Sequence, residues 1–128
     1  MPQYSNTYPP SIVAPGDVVN VWNAETPAPG NGGPSASARV APQPVRGVDS
    51  TLHFDGQFSG NPGVFEVDCQ VADVDVDTNY QTLSGLNITT VDAINNTFHA
   101  EVISGAKFAR MLMRSMTNAV SITGTIGR

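Results

Sequence analysis

The residues with the strongest claim to chemistry are three aspartates at alternate positions, Asp73, Asp75 and Asp77, in the run Asp73-Val74-Asp75-Val76-Asp77-Thr78-Asn79. Oxygen donors at every second residue open a calcium loop. Thr78 then stands where such a loop needs glycine, and Ser84 stands where a bidentate glutamate should close it. The run therefore reads as a weak calcium candidate and otherwise as an acidic turn. His53 and His99 have neither metal-ligand spacing nor a Gly-x-Ser-x-Gly motif nearby, and a structural role is expected for both. Gly30 to Gly33 lacks the Lys-Ser/Thr of a phosphate loop. Carboxylate pairs for glycoside hydrolysis come without a series of pocket-lining aromatics. The single cysteine, Cys69, allows no intrachain disulfide and no Cys-based zinc site, and its apolar alternation predicts a buried thiol. No catalytic, cofactor or firm metal site is expected, and the chain is not expected to be an enzyme.

The elements around these residues divide the chain in two. Nine of the ten prolines lie between Pro2 and Pro44, and the stretch from Thr26 to Pro44 is mostly Pro, Gly, Ala and Ser. Such a segment has little apolar surface to offset its ordering entropy, so residues 1–48 read as an extended arm. Large apolar residues stud it: Tyr4, Tyr8, Ile12, Val13, Val18, Val21 and Trp22, the only tryptophan. These are candidate anchors on a partner. The run Val18 to Trp22 is alternatively a strand of the chain's own sheet, and the sequence leaves both readings open.

Residues 49–128 carry the texture of a compact antiparallel β-sandwich. Leu52, Phe54 and Phe58 share a face, and Ser59-Gly60-Asn61-Pro62-Gly63 makes a hairpin connection. Phe65, Val67, Cys69 and Val71 alternate with Glu66, Asp68 and Gln70, one core face and one polar face. Further strands are predicted at Tyr80 to Leu83, Asn87 to Val91, Asn96 to Ile103, Lys107 to Met116 and Ala119 to Ile126. Helical spacing across Ala106 to Met116 makes a poor stripe. Strand spacing puts Ala109, Met111 and Met113 on one side and Phe108, Arg110, Leu112 and Arg114 on the other. Two apolar residues bracketed by arginines suggest a covered face, with cross-strand pairing of the arginines to Glu66 and Asp68 as the plain alternative.

Composition narrows the function classes. The charged fraction is 13%, against about 25% for an average soluble domain, which suits a protein packed against neighbours. A net charge of −5 disfavours nucleic-acid binding, since there is no basic field to replace counterions on phosphate. No run approaches the ~20 apolar residues of a membrane span, and the start lacks the pattern of a signal peptide. Folding in a cytosol is expected, which leaves the sequons at Asn87 and Asn95 unused.

The run Gly60 to Asp73, continuing to Asn79-Tyr80-Gln81-Thr82-Leu83, then Ala106-Lys107-Phe108-Ala109-Arg110-Met111-Leu112 and the ending Val120 to Ile126, resembles the small, jelly-roll-like β-sandwich virion proteins of tailed bacteriophages. Capsid decoration (cement) proteins belong to that set. The resemblance covers about Ser50 to Arg128 and rests on strand texture. It implies a major capsid protein as partner, location on the capsid surface after folding in the host cytoplasm, and self-association as dimer or trimer. The partner surface would comprise the arm anchors with Phe108, Arg110, Leu112 and Arg114, and a chain without its first 45 residues would fold yet lose the capsid. The Lys107-Phe108-Ala109-Arg110 strand also resembles discoidin-type carbohydrate-binding sandwiches, which keeps a receptor- or sugar-binding module, or a tail or connector component, as the alternative.

Overall fold

A computed structural model describes residues 11–12, 17–27, 33–40 and 51–128. Ten strands are formed among them: β1 (Ser11–Ile12), β2 (Val18–Glu25), β3 (Gly33–Pro34), β4 (Ala38–Val40), β5 (Thr51–Phe58), β6 (Phe65–Ala72), β7 (Gln81–Ile88), β8 (Thr97–Ile103), β9 (Phe108–Met116) and β10 (Ile122–Gly127). The one helical element among these residues is a 3-10 turn, Asp77–Asn79. One sheet runs β2-β10-β5-β8 and the other β1-β4-β9-β6-β7, with β3 also on β9. All pairings are antiparallel except β1 with β4.

The pairing has a simple logic. β6 pairs with β7, β5 with β8, β4 with β9 and β2 with β10, so the pairs nest around the turn at 73–80. Folding that long hairpin ribbon over itself alternates the pairs between two sheets, which makes a jelly roll. β3 and β4 are two parts of one run along β9. They are separated at 35–37, where Ser35 N–H donates to the Met111 carbonyl at 2.7 Å and the Met111 N–H donates to Ser35 Oγ at 2.9 Å.

This topology changes the status of the N-terminal segment. Val18 to Trp22 belongs to a strand of the chain's own sheet, hydrogen-bonded to β10, and Val21 and Trp22 are each only 1% exposed. Ala36, Ala38 and Val40 also enter the core. Residues 18–25 and 33–40 thus supply strands of the roll itself, where the texture of the sequence suggested an arm lying outside it. The expected division at residue 48 does not coincide with the edge of the core.

The core between the sheets is built from the faces that alternation picked out. Leu52, Phe54 and Phe58 of β5 meet Phe65, Val67 and Cys69 of β6 and Met111, Met113 and Met116 of β9. Methionine suits the irregular gap between two twisted sheets because it is unbranched and adaptable. Trp22 needs Gly124 opposite it. A Cβ at residue 124 would stand 2.7 Å from Met111 Cε, which would have to move, and 3.0 Å from Trp22 Cε3, tighter than an ordinary contact. The two strands expected at Tyr80 to Leu83 and Asn87 to Val91 form one strand, β7. It pairs at both ends with β6 and bulges between Thr82 and Asn87, where Gly85 takes a positive φ of 77°.

Candidate functional site

The outward face of β6 and β9, where the sequence places Arg110 and Arg114 beside Phe108 and Leu112, is occupied by a continuous polar network. Its first half surrounds Asp68, whose side chain is 4% exposed. Asn87 Nδ2 donates to Asp68 Oδ1 at 2.5 Å and to Glu66 Oε2 at 2.8 Å. Thr82 Oγ1 donates to Asp68 Oδ2 at 3.0 Å, and the Arg114 Nε–H donates to the same oxygen. Burial opposes the charge on Asp68, but these bonds outweigh it and hold the carboxyl below its ordinary range.

The second half is organised by Arg110, whose side chain is 8% exposed. Its Nε–H donates to Gln70 Oε1 at 2.9 Å and its Nη1–H to Asp77 Oδ1 at 2.6 Å, while the guanidinium carbon lies 4.0 Å from the Tyr80 ring centroid. Tyr80 O–H and Ser37 O–H both donate to Asp75 Oδ1, at 2.6 and 2.7 Å. Burial pushes the Tyr80 phenol well up, with the hydrogen bond to Asp75 adding to it.

The predicted site residues therefore fall in different places. Arg114 pairs with Asp68, while Arg110 pairs with Gln70 and Asp77. Being buried in this clasp, Arg110 is held by its own chain and does not offer its guanidinium to a partner. Of the three aspartates that made the weak calcium candidate, Asp75 and Asp77 serve as acceptors for the clasp. Phe108 and Leu112 remain half-buried. Val18 is 63% exposed, whereas Val21 and Trp22 are core and unavailable as anchors. Ile12 pairs through its backbone with Val40, while Tyr4, Tyr8 and Val13 lie outside the described residues. Cys69 is buried, and burial together with the Asp68 charge pushes its thiol up to about 12.

The Asp68 geometry sets an acid response. Its carboxyl has a lower pKa folded than the ~3.9 of an unfolded chain, so its stabilisation is present above pH ~4 and is lost as pH falls through the folded value. Asp68→Asn should flatten the loss of stability below pH 4 and cost about 1–3 kcal/mol at pH 7, since a neutral amide replaces the ionised acceptor of three hydrogen bonds. Urea unfolding at pH 7 and pH 3, read by Trp22 fluorescence, checks this; an unchanged acid slope would remove Asp68 as its source.

At one end of the roll, where loops 59–64, 89–96 and 117–121 meet, an open depression is lined by Gln57, Ser59, Asn95, Asn96, Ser121 and Thr123 together with Phe58 and Ile94. On the outer face of the other sheet, His53 of β5 and His99 of β8 lie near one another, their ring centroids 5.6 Å apart. That closeness was not legible beforehand, because the two residues are 46 positions apart and only the β5–β8 pairing joins them. No known family model and no curated protein matches this chain.

Proposed function

We propose that the protein is a structural component of the tailed-bacteriophage virion, a decoration protein that binds the outer surface of the head and stabilises contacts between major capsid subunits. The observation that carries this reading is the jelly-roll topology, an architecture used repeatedly by viral capsid proteins. The support is an analogy at the level of fold, joined to the sequence resemblance and to a charged fraction of 13%. Apolar side chains at both ends of the roll fit the same reading. Val64 and Ile94 project from one set of loops at 75% and 87% exposure, and Val18, Val74, Val76 and Ile103 are exposed toward the opposite end. The half-buried Phe108 and Leu112 offer a surface for self-association as dimer or trimer. With Val21 and Trp22 committed to the core, the N-terminal anchors of this reading reduce to Tyr4, Tyr8, Ile12, Val13 and Val18.

Copy number tests it. Quantitative gel analysis of purified virions should find the chain in hundreds of copies, and heads assembled without it should break at lower temperature. A few copies per particle would indicate a tail or connector component, and absence from the particle would overturn the reading. The depression lined by amide and hydroxyl groups favours one second reading, a carbohydrate-binding module. Saturable binding on a glycan array, abolished by Asn95→Ala with Asn96→Ala, would support that module instead.

A further inference from the structure

We infer that His53, His99 and Glu101 form a three-ligand binding site for a divalent transition metal, zinc above all, on the outer face of β5 and β8. The inference stands apart from the virion reading and begins with register. His53 pairs directly with Glu101 and Asp55 directly with His99, so two imidazoles and two carboxylates occupy a two-by-two patch, each kind on its own diagonal. β8 is the last strand of its sheet, and all four side chains are between 35% and 56% exposed, so an ion has access from solvent.

Two of the three ligand separations lie close to those around a tetrahedral ion. Zinc bonds of about 2.0–2.2 Å to nitrogen and oxygen place neighbouring ligand atoms about 3.3–3.5 Å apart. Glu101 Oε2 lies 3.2 Å from His53 Nδ1 and 3.1 Å from His99 Nε2, and the ligand atoms of the three residues all lie within 4.8 Å of one another. Small side-chain rotations open this triangle around an ion.

Asp55 completes the arrangement. Its Oδ1 lies 2.5 Å from His99 Nδ1, the nitrogen that does not face Glu101. A carboxylate that accepts the Nδ1 proton fixes the tautomer with Nε2 free, orients the ring and strengthens it as a donor, the usual support of a metal-binding histidine. Two imidazoles and a carboxylate suit zinc, copper or nickel better than calcium or magnesium, which prefer all-oxygen sites. β5, β8 and the adjacent β10 carry no Lys or Arg, so no fixed cation of these strands opposes the ion. Three protein ligands leave one position for water.

The test is calorimetric titration of the full, tag-free chain with zinc chloride at pH 7.5, with cobalt(II) absorption as a second readout. Wild-type protein should bind one zinc per chain and give the intense visible bands of tetrahedral cobalt. His99→Ala and His53→Ala should each lose at least tenfold in affinity along with the cobalt bands, and Asp55→Asn should weaken binding by about 10–100-fold. These positions are solvent-exposed, and unchanged Trp22 emission would establish that the variants fold. No saturable 1:1 binding by wild-type chain would overturn the site and leave the four residues as an ion-pair cluster. Equal affinity in wild type and His99→Ala would overturn it too.

Discussion

A chain beginning at residue 46 will be unfolded, while one beginning at Asp17 will retain the cooperative fold. Deleting 1–45 removes β2 and the run containing β3 and β4. β10 then loses the partner on one side, and β9 loses the strand that lines its edge. Bare edges of this kind template aggregation. The core term alone is close to decisive. Removal of a fully buried tryptophan side chain costs about 3–5 kcal/mol, and burial of Val21 and Val40 contributes about 1.5–3 kcal/mol each. A domain of this size has only about 5–15 kcal/mol in total.

Trp22→Ala is the graded version of the experiment and should lower stability by about 3–5 kcal/mol. Gly124 faces the indole, so the deletion opens a cavity against a backbone with no side chain to fill it. Circular dichroism melts of the two truncations and of the point variant check the prediction. A cooperative transition in the chain starting at 46 would mean that residues 18–40 are dispensable to the roll. The result bears on any test of the proposed virion role: loss of capsid binding on deleting the first 45 residues would report unfolding, so that proposal must be tested by removing 1–16.

Arg110→Ala should cost about 2–4 kcal/mol, whereas Asp77→Asn should cost less than about 1 kcal/mol. The asymmetry comes from burial. Asp77 is 85% exposed, so its half of the ion pair is screened by water. Arg110 contributes the other interactions. Its guanidinium stacks on Tyr80, worth about 0.5–2 kcal/mol, and satisfies the buried Gln70 carbonyl, whose orphaning costs about 1–3 kcal/mol. Arg110→Lys should recover only part of the loss, because an ammonium cannot reproduce the planar fork that spans Gln70 and Asp77. Urea midpoints for the three variants decide the matter. If Asp77→Asn proved as costly as Arg110→Ala, the ion pair and not the stack and buried amide would hold the clasp.

Much of the fold could be read along the chain. Alternation in Leu52 to Phe58, Phe65 to Val71 and Ala109 to Met113 is a local property with period two, and it identified strands and core faces without reference to distant residues. The same alternation foresaw the buried Cys69 and placed Arg114 within reach of Asp68. Composition misled at Gly33 to Val40. Pro, Gly, Ala and Ser are poor strand formers by propensity, yet β9 supplies the pairing partner for this run, and its Ala36, Ala38 and Val40 are small enough to pack into the core.

Pairing between distant segments was beyond local reading. Whether Trp22 lies inside or outside depends on β2 meeting β10 about a hundred residues later, and whether His53 meets His99 depends on β5 skipping two strands to reach β8. Those choices follow from closure of the whole hairpin ribbon, a property no window of residues contains. Side-chain types and their alternation were therefore enough to specify an all-β chain with one core. The nesting of its strands brought Val21, Trp22 and Val40 into the core, drew Asp75 and Asp77 of the acidic turn into a clasp, and made two unremarkable histidines neighbours with two carboxylates between them.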